Sequence, residues 1–103
     1  MAIAAVSISP TGAGVSVSRY VAAALRVVRG QDRVRYRLDP MFTTLEGDLG
    51  EVYALVARMQ EAVFAAGASR VGTVIKIDDR RDREGSMEDK VASVDALLGG
   101  TRD

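Results

Sequence analysis

Two kinds of hydrophobic pattern alternate along the chain, and their order predicts its elements. Strand-like runs, with alternating apolar positions or small and β-branched residues, cover 3–9, 34–39, 41–47 and 70–78. Helical spacing of apolar residues covers 16–29, 48–67 and 86–100. The resulting order, β-α-β-β-α-β with a terminal helix, is that of the ferredoxin-like split βαβ unit. We therefore predict one α+β domain, a ferredoxin-like βαββαβ sandwich with a short C-terminal helix, over residues 1–103.

Each predicted helix has one apolar face. The first face comprises Val17, Tyr20, Val21, Ala24, Leu25 and Val28. The second comprises Leu49, Val52, Tyr53, Val56, Met59, Val63 and Phe64, and the third Met87, Val91, Val94 and Leu98. Ser16 is placed to cap the first helix and Gly30 to end it, while Asp48 and Gly67 bound the second. Aromatic residues on these faces are expected to be core.

The predicted topology leaves one face of the sheet uncovered. Right-handed crossovers place the two main helices on the same face, and the last strand lies at an edge. That strand carries Ile75 and Ile77. Because a free apolar edge promotes association, we expect a partner chain to cover it and predict a homo-oligomer built on the sheet.

Composition excludes several classes of function. Basic and acidic residues number 14 each, so no overall basic field attracts nucleic acid or an anionic membrane. The chain has no Cys and no His, which removes thiolate chemistry, the commonest metal ligand and the usual neutral-pH base. The opening "MAIAAVSIS" is interpreted as a strand and not as a signal peptide, and no apolar run reaches the length of a membrane helix. We predict a cytoplasmic protein with no catalytic residues, no metal, and no nucleic-acid or membrane partner.

Three motifs together resemble a known family. The segments "SISPTGAGVSVSRYV", "DPMFTTLEGDLGEV" and "TVIKIDDRRDRE", in this order and at these separations, resemble the thiamine-binding protein family (MTH1187/YkoF-like, UPF0045). The resemblance covers about residues 3–95. It implies a ferredoxin-like fold, a homotetramer built as a dimer of dimers, and non-catalytic binding of thiamine or its hydroxymethylpyrimidine moiety, with no other cofactor. Where the family commonly has His-Pro-Met-Gly-Thr, this chain has Asp39-Pro40-Met41-Phe42-Thr43.

The candidate ligand-binding residues follow from the chemistry of thiamine, which has an aminopyrimidine edge and a cationic thiazolium. They are Ser7, Ser9, Phe42, Thr43, Thr44 and Glu46. A carboxylate such as Glu46 suits the pyrimidine edge or the cation, hydroxyls can donate or accept, and the ring faces of Phe42 and of Tyr53 suit the cation. Structural interpretations remain open beside these: Glu46 can support the N-terminus of the second helix, and the Ser and Thr residues can be ordinary strand residues.

Two further motifs have ordinary explanations. The glycines of "PTGAGVS" could cradle a phosphate, but without a P-loop fingerprint a tight turn into the helix is favoured. In "IDDRRDRE" the adjacent Asp78 and Asp79 point to opposite faces of a strand, so a metal pair is not expected. Lys76 and Asp78 share a face and can pair with a neighbouring subunit. We interpret the run as a strand end followed by a surface loop.

The function that this pattern favours is a cytosolic carrier, buffer or sensor of thiamine or hydroxymethylpyrimidine. An oligomeric regulatory scaffold without its own ligand is the main alternative. An enzyme acting on a pyrimidine substrate is a second alternative, although no pair of candidate groups has a defined geometry. RNA-recognition modules share the split βαβ order, but they stack bases on exposed aromatics of the third strand, and this third strand has one Phe and an acid.

Overall fold

Four strands and three helices form in the predicted order. A computed structural model describes residues 1–99. The elements are β1 (Ala2–Pro10), α1 (Ser18–Arg29), β2 (Arg35–Leu38), β3 (Thr43–Gly47), α2 (Leu49–Ala65), β4 (Val71–Asp79) and α3 (Met87–Leu97). The predicted α+β architecture is therefore confirmed, with strand ends displaced by one or two residues.

The strands form one antiparallel sheet in the order β2-β3-β1-β4. β1 pairs with β4 along its full nine residues, from Ala2↔Asp79 to Pro10↔Val71. Its pairing with β3 runs only from Ala2↔Gly47 to Val6↔Thr43. Because β3 begins at Thr43, the second half of β1, from Ser7 to Pro10, has no paired strand on that side within the described part of the chain.

One face of the sheet packs against α1 and α2. Ala4, Val6 and Ile8 of β1 and Leu45 of β3 lie in this core. From the face predicted for α1, Tyr20, Ala24, Leu25 and Val28 are buried in it and Val21 packs against it, whereas Val17 precedes the helix. Ile75 and Ile77 of β4 also point to this face and pack, partly buried, against the core. The last strand lies at an edge of the sheet as predicted, but Ile75 and Ile77 do not form a free apolar surface there, since their position in the alternation of β4 turns them toward the helices.

The apolar face of α2 differs from the predicted one. Val52, Leu55, Val56, Met59 and Val63 are buried, whereas Tyr53 and Phe64 are exposed. Positions 52, 55, 56, 59 and 63 follow the i, i+3, i+4, i+7, i+11 spacing of one helical stripe. A single stripe faces the sheet, and the two aromatic residues lie outside it.

The two main helices begin differently. Asp48 caps α2 as predicted, because its carboxylate accepts hydrogen bonds from the backbone N–H groups of Gly50 and Glu51. The residue preceding α1 is Val17 and not Ser16, and no side chain caps this end. Gly12 and Gly14 adopt positive φ angles of 79° and 94° in the turn before it. These angles favour glycine, which accounts for both residues in the turn.

The third helix covers one end of the opposite face of the sheet, which we call the open face. Met87 is buried there, and Lys90 pairs with Asp78 of β4. The expectation of a fully bare face is therefore wrong at this end. Val94 and Leu98 remain exposed, so the predicted apolar stripe of α3 is buried chiefly at its first residue.

Candidate ligand site

The shortness of β3 creates a cavity beside β1. The cavity has a volume of about 280 Å³, and its lining includes Ser7 and Ser9 of β1, Phe42 and Thr43 at the start of β3, and Val17 and Val21 at the start of α1. It occupies the gap beside Ser7 to Pro10, where β1 extends beyond its β3 partner. We call it the β1 cavity. Four of the six predicted ligand-binding residues meet there.

The β1 cavity combines hydroxyl groups with apolar and aromatic surface. Ser7 pairs with Val74 and Ser9 with Gly72, and by the alternation of β1 both serines lie on the open face. Thr43 pairs with Val6 and points toward the helices. The loop between β2 and β3 supplies Phe42, which is 37% exposed. This combination of a few polar groups with apolar walls is typical of small-molecule sites.

A carboxylate that the prediction omitted also lines the β1 cavity. Asp39 is part of its wall, and Arg37 donates a hydrogen bond from Nε to Asp39 Oδ2 at 3.3 Å. The backbone N–H of Asp39 donates to the carbonyl of Phe42 at 3.0 Å, which closes the loop. The Asp-Pro turn signal in the sequence marked this loop, but only the fold shows that it faces Ser7.

Glu46 lies apart from the β1 cavity and is engaged within the chain. It is 2% exposed on the open face. Its Oε1 accepts from the backbone N–H of Met87 at 2.7 Å, and its Oε2 accepts from Arg35 Nη1 at 2.7 Å. Arg35 also donates to Glu88 at 2.9 Å. These contacts hold the first turn of α3 against the sheet. The predicted ligand role of Glu46 stays a prediction.

The contacts of Glu46 could not have been read from the sequence. Its hydrogen-bond partner Met87 is 41 residues away along the chain. Arg35 is its directly paired neighbour on β2, a pairing that depends on strand register. The sequence offered one signal, a carboxylate within a strand whose other positions favour apolar residues. This signal indicated a special role for Glu46 but did not identify its partner.

Thr44 lies on the open face and outside the lining of the β1 cavity. It pairs with Ala5 of β1 on one side and with Arg37 of β2 on the other. The structure therefore divides the predicted site into three places: Ser7, Ser9, Phe42 and Thr43 at the cavity, Thr44 in the middle of the open face, and Glu46 beneath α3.

A second cavity, of about 410 Å³, lies between the end of β4 and α3. Much of its charge is paired locally. Lys90 holds the pKa of Asp78 below its usual value, and the hydrogen bond from Arg80 lowers the pKa of Asp82 to about 2. Asp78 is thus paired by Lys90 of its own chain, and pairing with a neighbouring subunit is not needed to order it. Within residues 1–99, no group of three or more carboxylates is arranged to hold a metal ion.

The strand order, the two helices on one face and the third on the other define a small α+β protein of split βαβ architecture. The chain belongs to the thiamine-binding protein family, whose model, described as "Thiamine-binding protein", matches residues 4–95. The predicted family is therefore confirmed.

Relatives match nearly end to end. The chain is 42% identical over 102 residues to the UPF0045 protein YqgV of Bacillus subtilis, covering 95% of this chain and 98% of the relative. The crystal structure of the hypothetical protein MJ1052 of Methanocaldococcus jannaschii is similar with a TM-score of 0.82 and 36% identity, covering 90% of this chain and 94% of that one.

A more distant structure shares the fold. The putative thiamine biosynthesis/salvage protein TM0486 of Thermotoga maritima matches with a TM-score of 0.77 and 18% identity, covering 90% of this chain and 97% of that one. None of the helices in the described part of this chain has the length and apolar character needed to span a bilayer.

Proposed function

We propose that this protein binds thiamine or its hydroxymethylpyrimidine moiety without catalysing a reaction on it, as a cytosolic carrier, buffer or sensor. Membership of the thiamine-binding protein family supports a small-molecule ligand of this class. The observation that carries the proposal for this chain is the β1 cavity, which brings Ser7, Ser9 and Phe42 together beside a strand edge that β3 does not cover.

The chemistry of the β1 cavity matches the two halves of the ligand. An aminopyrimidine presents donors and acceptors along one edge, as a neighbouring strand does, so it can pair with the uncovered edge of β1 and with the hydroxyls of Ser7 and Ser9. The thiazolium is a permanent cation. The ring face of Phe42 and the carboxylate of Asp39 are groups that attract such a cation.

Substitution of Phe42 tests the cavity. We expect isothermal titration to show saturable binding of thiamine to the wild type and a loss of roughly tenfold in affinity for Phe42→Ala, because a cation–π contact and apolar wall are removed. Phe64→Ala is the matched control. Phe64 is similarly exposed, at 41%, but lies on α2 outside the cavity. The affinity of Phe64→Ala for thiamine should equal that of the wild type.

Two results would contradict the proposal. One is the absence of heat with both thiamine and hydroxymethylpyrimidine together with an unchanged melting temperature at millimolar ligand, since a ligand that binds the native state must stabilise it. The other is an equal loss of affinity in both phenylalanine variants, which would place the effect outside the cavity. The first result would favour an oligomeric scaffold without its own ligand.

We also propose that the chain self-associates as a homotetramer, a dimer of dimers, through the sheet. β4 is nine residues long, pairs only with β1 among the described strands, and presents Val74 on the open face at 59% exposure. A long strand edge of this kind readily pairs with another strand.

Mass measurement tests the self-association. We expect light scattering after size exclusion to give four times the chain mass of 11.0 kDa for the wild type. Val74→Asp should shift the mass toward smaller species, because it places a carboxylate on the exposed middle of β4. Val15→Asp, at a fully exposed loop position, is the control and should keep the wild-type mass. A monomer mass for the wild type at micromolar concentration would contradict this proposal.

A further inference from the structure

A row of directly paired residues crosses the open face of the sheet. Lys76 of β4 pairs with Ala5 of β1, Ala5 with Thr44 of β3, and Thr44 with Arg37 of β2. Directly paired residues of antiparallel strands point to the same face. The row therefore has a cation at each end and two smaller side chains in its middle.

The charges of this row are only partly balanced within the chain. Arg37 forms an ion pair with Asp39. After the larger effect of Lys90, the charge of Lys76 contributes to lowering the pKa of Asp78. Lys76 is exposed and donates no hydrogen bond to residues 1–99. Arg37 donates only from Nε, in the 3.3 Å contact with Asp39, which leaves both of its terminal nitrogens without a partner among the described residues. The row contains no carboxylate.

The adjacent row on the same face shows the opposite arrangement. It consists of Asp78, Ile3, Glu46 and Arg35. Here Asp78 pairs with Lys90, and Arg35 pairs with both Glu46 and Glu88. α3 contacts this row through Met87, Glu88 and Lys90. The two rows thus differ. The charged groups of one row are hydrogen-bonded within the chain, whereas in the other the Lys76 ammonium and the terminal nitrogens of Arg37 donate no hydrogen bond to the described residues.

The spacing of the strands and the hydroxyl of Thr44 suit an anion at the middle of the row. With about 4.8 Å between strands, the Cα atoms of Lys76 and Arg37 are roughly 14 Å apart, a span that two long side chains can close over a small group. Ala5 adds no bulk between them, and the Thr44 hydroxyl can donate. A phosphate suits this set, since guanidinium groups bind it in a bidentate manner and ammonium groups bind it as point charges.

This row adjoins the β1 cavity. Ser7, which lines the cavity, is two residues from Ala5 on β1 and shares its face, at a distance of about 7 Å along the strand. We infer that Lys76, Thr44 and Arg37 form an anion subsite that takes a phosphate or diphosphate group carried by the ligand. The identity of the organic part rests on the function proposed above, while the subsite itself stands on the row of cations.

Titration with three probes tests the subsite. We expect thiamine diphosphate to bind at least tenfold more tightly than thiamine, and inorganic pyrophosphate to bind weakly but saturably. Lys76→Gln should weaken thiamine diphosphate roughly tenfold and leave thiamine unchanged, because it removes one charge-assisted contact. Arg37→Gln also releases Asp39 in the wall of the β1 cavity, so it should weaken thiamine diphosphate more than thiamine. Lys76→Arg keeps the charge and should retain the preference. Arg26→Gln, an exposed cation on α1, is the matched control.

The outcomes separate this inference from the proposed function. Equal affinity for thiamine and thiamine diphosphate would overturn the subsite while leaving thiamine binding intact. Failure of all phosphate-bearing probes to bind would also overturn it, as would an equal loss in Arg26→Gln. If thiamine does not bind but pyrophosphate does, and Lys76→Gln abolishes that binding, then the subsite is supported and the proposed ligand is wrong.

Discussion

Glu46→Ala is expected to lower the free energy of unfolding by about 2–3 kcal/mol and to release the first turn of α3 from the sheet. The buried N–H of Met87 loses its acceptor, and a buried donor without a partner costs about 1–3 kcal/mol. The volume of the lost side chain adds a small cavity. Arg35 is less affected, since its side chain is largely exposed and keeps Glu88.

Urea unfolding with hydrogen exchange checks this expectation. The Met87 amide should exchange much faster in Glu46→Ala than in the wild type. The amides of β1 should exchange no faster than the global stability of the variant requires. Glu46→Gln keeps a carbonyl oxygen for Met87 and should lose less. Glu88→Ala, which removes an exposed ion pair, should change stability by less than about 1 kcal/mol. A change within about 0.5 kcal/mol for Glu46→Ala would contradict the role of Glu46 in holding α3.

The same variants address the predicted ligand role of Glu46. Thiamine affinity measured on Glu46→Gln should equal that of the wild type if Glu46 serves α3 alone. A large loss of affinity with α3 still protected would instead assign Glu46 to the ligand.

Leu45→Ala is expected to destabilise the protein by about 2–5 kcal/mol, the range for a buried leucine truncated in a core. Leu45 is 0% exposed and lies at the centre of β3, paired with Ala4 on one side and with Tyr36 on the other. Ala4 is too small to fill the space left behind, so much of the cavity should persist. The expected loss is a large share of the stability of a domain of this size.

The control for Leu45 is the same substitution at an exposed leucine. Leu97 on α3 is 88% exposed, so Leu97→Ala should change the free energy of unfolding by less than about 0.5 kcal/mol. Both free energies of unfolding are to be measured by urea titration, with the same slope of free energy against urea concentration for the two variants. Equal effects at the two positions would mean that the core does not pack around Leu45 as the structure shows.

Local patterns in the sequence were sufficient for the elements and for some of their ends. The helical stripe of α1 and the cap at Asp48 depend on residues within a few positions of one another, and both were predicted correctly. The stripe of α2 was predicted less well, because Tyr53 and Phe64 are apolar enough to be taken for core. Which of several apolar residues faces the sheet depends on how the helix is rotated against it.

In the candidate site, too, the residue types could be predicted from the sequence, whereas their arrangement depends on segments that are distant along the chain. Ser7, Ser9, Phe42 and Thr43 were predicted from their residue types and from the family resemblance, and the structure brings them to one cavity. The cavity itself arises because β1 is longer than its pairing with β3. No pattern within a short segment of the sequence indicates this difference in length.

By itself, therefore, the sequence determined the order of elements, the family and the residue types available for binding, since these depend on periodicity and on motifs within short segments. The tertiary structure decided that Glu46 meets Met87, that Lys76 and Arg37 share a row, and that Ile75 faces the core. The reason is strand register: a shift of one residue turns every side chain of a strand to the other face, and register is set by packing of the whole sheet against its helices.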